Sequence, residues 1–160
     1  MLVCTEAGSI SIPGSSASAR ASRAAFSWSS ARRAGPLRSA IRPAAAIGPY
    51  AQAVSVGGLL YCSGQTGLDP ATGALAEGGF ESQARQVLTN LSHVLACAGC
   101  TFSDILKASV FITDFADFPA LNAIYAEFMG SHRPARSTIQ AAALPKGAVV
   151  EIDVIARIPG

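Results

Sequence analysis

Between Tyr50 and Arg157 the hydrophobic pattern switches repeatedly between a period of two and a period near 3.6, and each switch marks an element. Ala51 to Val56 and Leu59 to Gln65 read as strands. The Gly57-Gly58 pair between them suits a two-residue turn with positive φ, which makes the segment a β-hairpin. A polar stretch with Asp69-Pro70, Thr72-Gly73 and Gly78-Gly79 then reads as a loop. Beyond it Ala84, Val87, Leu88, Leu91, Val94, Leu95 and Ala98 recur at spacings of three and four, the stripe of a helix buried along one side, and Gly99 terminates it. Such a stripe needs a partner surface, which a sheet face supplies.

Ile105 to Thr113 is apolar and β-branched enough for a central strand. Asp117 is placed as the N-cap of a second helix, with Phe118, Leu121, Tyr125 and Phe128 along its stripe and Gly130 at its end. Ser137 to Ala142 and Ala148 to Arg157 are the last two strands. The turn Leu144-Pro145-Lys146-Gly147 between them predicts an antiparallel hairpin. The order β-β-α-β-α-β-β predicts an α+β domain, a mixed sheet with two helices on one face. Alternation in the last strand sets Val150, Ile152 and Val154 on one side and Glu151 and Asp153 on the other. The acidic side is therefore expected to be solvated or to lie at a subunit interface, a common recourse for a small domain with one uncovered sheet face.

Of 160 residues, 50% are hydrophobic and 14% charged, with no apolar run near the ~20 residues that would cross a bilayer. The formal net charge of +2 hides an asymmetry. Residues 1–42 hold six arginines against Glu6 alone, a charge of +5, whereas residues 43–160 hold six bases and nine acids, a charge of −3. Residues 1–43 are rich in Ser, Ala and Arg, poor in acids, and broken by Gly and Pro, so they lack the continuous apolar core of a secretory signal. That composition predicts a disordered organelle transit peptide. The uncharged Ser/Gly/Pro stretch before Arg20, the first arginine, favours a chloroplast over a mitochondrion. The competing reading is a basic tail that touches nucleic acid or anionic lipid by charge alone. Cleavage between Arg38 and Ala46 would leave a single acidic domain of about 115–120 residues.

Cys97 and Cys100 form a C-x-x-C, but no second pair of ligands accompanies it, and it falls at a helix C-terminus, where the dipole opposes a thiolate. A structural role is expected. His93 and His132 lack any metal-ligand spacing, and no metal site is expected. Chemistry therefore falls to polar residues at strand edges. Arg136, at the start of one of the final strands, and Glu151, in the next, would approach each other if those strands form a hairpin. Two readings stand side by side: an anion-binding guanidinium beside a water-orienting carboxylate, or a surface ion pair.

Five stretches in order carry a resemblance: Ala46-Ile47-Gly48-Pro49-Tyr50-Ala51-Gln52-Ala53; Ser63-Gly64-Gln65; Asn122-Ala123-Ile124-Tyr125; Arg133-Pro134-Ala135-Arg136-Ser137; and Leu144-Pro145-Lys146-Gly147-Ala148-Val149-Val150-Glu151-Ile152. Over residues 44–158 the chain resembles the RidA/YjgF (reactive intermediate deaminase A) family. The resemblance implies a chorismate-mutase-like homotrimer with ligand clefts between subunits. It also implies cofactor-free hydrolysis of 2-imino acids, formed from enamines such as 2-aminoacrylate and 2-aminocrotonate, to 2-keto acids and ammonium. Pyridoxal-phosphate-dependent serine/threonine dehydratases would release those enamines. By the same resemblance Arg136 grips the substrate carboxylate and Glu151 positions or activates water. Tyr50 and Asn122 line the cleft, and Ser63 and Gly64 supply wall and backbone contacts.

Two features depart from the family pattern. Thr138 stands where many relatives carry Cys, so it can replace Cys if that position contributes backbone groups but not if a thiol is needed, and the segment from Ala126 to Ala135 is shortened, which would reshape the cleft rim. Two other functions compete with the deaminase: a non-catalytic trimeric binder of 2-keto acids or small carboxylates, and an endoribonuclease or translation inhibitor. A domain charge of −3 without a basic-aromatic platform gives poor electrostatics for RNA, which ranks the ribonuclease last.

Overall fold

The structure, a computed structural model, describes residues 39–41 and 49–160. Six strands form one mixed sheet in the order β1-β2-β3-β6-β4-β5. They are β1 (Ser39–Ile41), β2 (Ala53–Val56), β3 (Leu59–Thr66), β4 (Ile105–Ile112), β5 (Ala135–Gln140) and β6 (Val150–Arg157), and the helices are α1 (Phe80–Ala96) and α2 (Phe118–Met129). Only β4 and β5 pair in parallel; every other neighbouring pair is antiparallel. The element order expected from periodicity is present, and the hairpin turns at Gly57 and Gly58 with φ of 63° and 76°.

The sheet also begins earlier than residue 44. Strand β1 pairs Ser39 with Ser55 and Ile41 with Ala53, inside the segment 1–43 read as a leader. Residues 1–38 and 42–48 lie outside the described residues, and with them most of that reading.

The α1 stripe is buried as its spacing predicts: Ala84, Val87, Leu88, Leu91, Val94 and Leu95 are at most 1% exposed. They meet Leu60, Ala108, Val110, Ile112, Val150, Ile152 and Val154 from the sheet and Leu121 and Ile124 from α2 in one core. Gly99 adopts φ 70° beyond the helix, which lets the Cys100 N–H return to the Leu95 carbonyl at 3.0 Å. Asn90 ties the helix to the end of β3 by donating to the Thr66 and Leu68 carbonyls. On the outer surface an exposed Arg85–Glu127 pair links α1 to α2.

Asp117 occupies the N-cap position of α2, but its side chain makes no cap bond. With φ −80° and ψ −6° it already belongs to a 3-10 turn, and the preceding Asp114 accepts from the Ala116 N–H instead.

The last two strands do not form a hairpin. Strand β5 follows α2 and returns parallel to β4, as a strand–helix–strand crossover requires. The connection from β5 then passes over the end of β4, where the Ala141 N–H donates to Ile112 and the Thr113 N–H to Val149. It delivers β6 to the other side of β4, between β4 and β3. Lys146, at φ 57°, and Gly147, at φ 75°, make the turn.

Because Leu91 is fully buried between helix and sheet, Leu91→Ala should lower unfolding free energy by roughly 2–5 kcal/mol in urea denaturation.

Candidate functional site

The bulge in β3 builds one half of the site. Cys62 pairs with Val154 and Gln65 with Ile152, so Ser63 and Gly64 together face the single residue Asp153. Ser63 is pinned there, its N–H on the Gln52 carbonyl at 2.9 Å and its hydroxyl on the Ala51 carbonyl at 2.7 Å. Those two anchors also fix the strand entry that follows Tyr50, which is exposed. Beneath the bulge, buried Gln65 donates to Gln52 Oε1 at 2.7 Å. Gly64 is required by contact, because a Cβ there would overlap the carboxylate of Glu151. Glu151 thus rests on bare backbone, half-buried, on the sheet face away from the helices. Its pKa is raised, first by burial and then by Asp153 on the same face. Its carboxylate has no hydrogen-bond donor among the described residues.

The crossover builds the other half. Arg136 stands opposite buried Ala108 and points toward α2. There its Nη2 donates to Asn122 Oδ1 at 2.6 Å, and its guanidinium carbon lies 4.8 Å from the Tyr125 ring centre and 5.7 Å from that of Phe118. Phe118, Asn122 and Tyr125 are spaced four and three residues apart, so α2 presents all three to one arginine. Thr138, two residues along on the same side of β5, has a buried hydroxyl without a hydrogen-bond partner, as does Tyr125. A cleft of about 230 Å³ opens beside Arg136, lined also by Asn122, Tyr125, Met129, His132, Arg133 and Pro134. His132 anchors its floor through Nε2 to the Ile105 carbonyl at 2.7 Å.

The structure therefore separates what the sequence reading placed together. Within one chain Arg136 and Glu151 form neither a catalytic pair nor an ion pair. Strand β4 runs between them, and alternation puts Glu151 on the uncovered face and Arg136 on the helix face. Tyr50, Ser63, Gly64 and Glu151 belong to one half, and Asn122, Arg136 and Thr138 to the other. Phe118 and Tyr125 were legible only as core stripe residues; their helical register with Asn122 was the available sign of a second role.

The thiols take no part in either half. Cys62 and Cys100 are free and buried, and burial, with smaller contributions from Cys100 and Asp153, pushes the Cys62 thiol up to about 12. The Cys100 sulfur points at the Ala98 and Arg157 carbonyls.

Comparison with known proteins adds four findings. The endoribonuclease L-PSP family profile matches residues 40–158. A goat (Capra hircus) protein named 2-iminobutanoate/2-iminopropanoate deaminase is 51% identical over 112 residues, which cover 70% of this chain and 82% of the goat protein. Among solved structures, RidA from an Antarctic Psychrobacter superposes with a TM-score of 0.69 at 46% identity, covering 72% of this chain and 93% of that one. TdcF of E. coli, solved with bound serine, superposes with a TM-score of 0.68 at 40% identity, covering 71% and 91%.

The environment of Glu151 can be read by NMR. Its carboxyl should titrate above the ordinary 4.5, and Asp153→Asn should bring the midpoint down while leaving it above that value, since burial remains.

Proposed function

Since the chain belongs to the endoribonuclease L-PSP family, the RidA/YjgF family, we propose that it hydrolyses 2-imino acids to 2-keto acids and ammonium in sites built by two subunits of a homotrimer. The observation that carries this reading is the division of the site: an arginine without a carboxylate partner on the helix side of one sheet edge, and a carboxylate over a bare glycine on the uncovered face. A second copy that laid its β5 edge against that face would bring Arg136, Asn122 and Thr138 of one chain to Tyr50, Ser63, Gly64 and Glu151 of the other. A cyclic arrangement of such head-to-tail contacts closes as a ring.

The chemistry follows from the groups. A protonated imine is already electrophilic, so orientation and a placed water supply most of what hydrolysis needs. Arg136 takes the substrate carboxylate in two parallel hydrogen bonds, and Asn122 with the two aromatic rings holds the guanidinium in place. Glu151 accepts a proton from water as the water oxygen bonds to C2. The carbinolamine then collapses, forming the keto C=O and expelling ammonia, which leaves as ammonium with the proton Glu151 returns. Base action requires the ionised carboxylate, so the raised pKa moves the acid limb of the pH–rate profile upward.

The substrates we assign are 2-aminoacrylate, 2-aminocrotonate and their imine tautomers, supplied by pyridoxal-phosphate-dependent serine/threonine dehydratases. Residues 1–43 would carry the protein to a chloroplast, with a mitochondrion as the alternative. The charge of −3 over residues 43–160 disfavours a polyanionic RNA substrate.

With a dehydratase generating the enamine, Glu151→Gln should lower the acceleration of keto-acid release by roughly 10²–10⁴. Arg136→Lys should lower kcat/KM about ten- to a hundredfold through loss of the two-bond grip. No acceleration by wild-type trimer would refute the deaminase assignment.

Co-expression of Arg136→Ala and Glu151→Gln chains tests the shared site. Random trimers should regain activity at about a quarter of their sites, because each site draws the two residues from different chains. Sites contained in one chain would regain none.

A further inference from the structure

The cleft beside Arg136 holds more cationic character than one carboxylate requires. Arg133 and Arg136 both line it, and no Asp or Glu is among the lining residues. Both guanidiniums lack a carboxylate partner, since the one ion pair among the described residues joins Arg85 to Glu127. Arg136 has only the neutral Asn122 as its acceptor. Arg133 donates through Nη1 to the Gly130 carbonyl at 2.6 Å and the His132 carbonyl at 2.7 Å. Its Nε and Nη2 donors remain without a partner among the described residues.

These two backbone anchors matter for a ligand. They hold an otherwise flexible side chain at the mouth of the cleft, so less rotamer entropy is lost when its free donors are used. Gly130, at φ 57°, ends α2 and supplies one of the anchoring carbonyls. The link from Gly130 to β5 is short, which keeps Arg133 three residues from Arg136 on the same rim.

Two unneutralised guanidiniums along one cleft repel each other, in a domain whose charge over residues 43–160 is −3. A monocarboxylate neutralises one and leaves the other; a dicarboxylate neutralises both. The cleft volume of about 230 Å³ leaves room for a side chain beyond the group that Arg136 binds.

We propose that this cleft also takes 2-imino acids bearing a second, side-chain carboxylate, with Arg136 holding the carboxylate next to the imine and Arg133 the distal one. The assignment rests on the deaminase reading of the same site and adds a second substrate class to it. Arg133 acts here as a specificity residue and touches no reacting atom.

The test compares imines generated in situ by flavin-dependent oxidases from an acidic and a neutral amino acid, with the full-length protein. Wild type should accelerate both imines, Arg133→Gln should lower the acidic-to-neutral ratio of kcat/KM about tenfold, and Arg133→Lys should keep most of it. A loosened helix end would depress both substrates and leave the ratio alone, so the ratio separates binding from structural damage. An equal ratio in wild type and Arg133→Gln overturns the proposal while the deaminase assignment stands.

If neither imine is accelerated, the deaminase assignment fails and calorimetry decides the selectivity of the cleft. Tighter binding of 2-ketoglutarate than of 2-ketobutyrate by wild type, lost in Arg133→Gln, supports it; indistinguishable affinities overturn it.

Discussion

Strand β6 is hydrogen-bonded along both edges, to β3 and to β4, and the alternation of its side chains governs both faces of the sheet around it. Val150, Ile152, Val154 and Ala156 are buried against the helices, which forces Glu151, Asp153 and Ile155 onto the uncovered side. A slip of one residue would exchange these sets and drive two carboxylates into the core, so the register is held by the full cost of burying them. From that register follow the seat of Glu151 over Gly64 and the need for a bulge at Ser63-Gly64 to receive it. The Ser63 hydrogen bonds to Ala51 and Gln52 extend the same constraint to the chain around Tyr50.

The second half of the site depends on the one parallel pairing. A crossover through α2 places β5 at the sheet edge and the helix over it, so a side chain on the inner face of β5 meets aromatic and amide groups instead of deep core. Arg136 is therefore half-buried and near enough to an opening to use its remaining donors on a ligand. Phe118 and Tyr125 offer ring faces, and Asn122 an uncharged acceptor; none of them neutralises the guanidinium. A carboxylate partner in the same position would have closed the site. Leaving the charge open favours an anion, and Arg133 at the rim extends the same logic to a second one.

These two halves make assembly a chemical requirement of the proposed reaction. One chain presents Arg136 on the helix side of the sheet and Glu151 on the uncovered side, and β4 keeps them apart. An uncovered face that carries exposed Tyr61 and Ile139 beside Glu151 and Asp153 gives a neighbouring subunit both apolar area to bury and polar groups to meet.

Much of this was legible in the sequence. The α1 stripe from Ala84 to Leu95, the Gly57-Gly58 hairpin and the alternation from Val150 to Ala156 are local periodicities, and local sterics with burial decide them. The motifs around Arg136 and Glu151 likewise singled out both residues through their resemblance to a family. The partner of each strand was not legible, because pairing depends on where the chain returns after a crossover and not on the residues of one segment. A Pro-Lys-Gly turn between two strands is compatible with a hairpin and equally with a link over the end of a third strand. Only the tertiary structure chose the latter, since a strand leaving α2 must run parallel to β4, which leaves the space between β3 and β4 for β6. The sequence by itself singled out Arg136 and Glu151 as candidates; the sheet order decided that one chain cannot bring them together, because β4 runs between them.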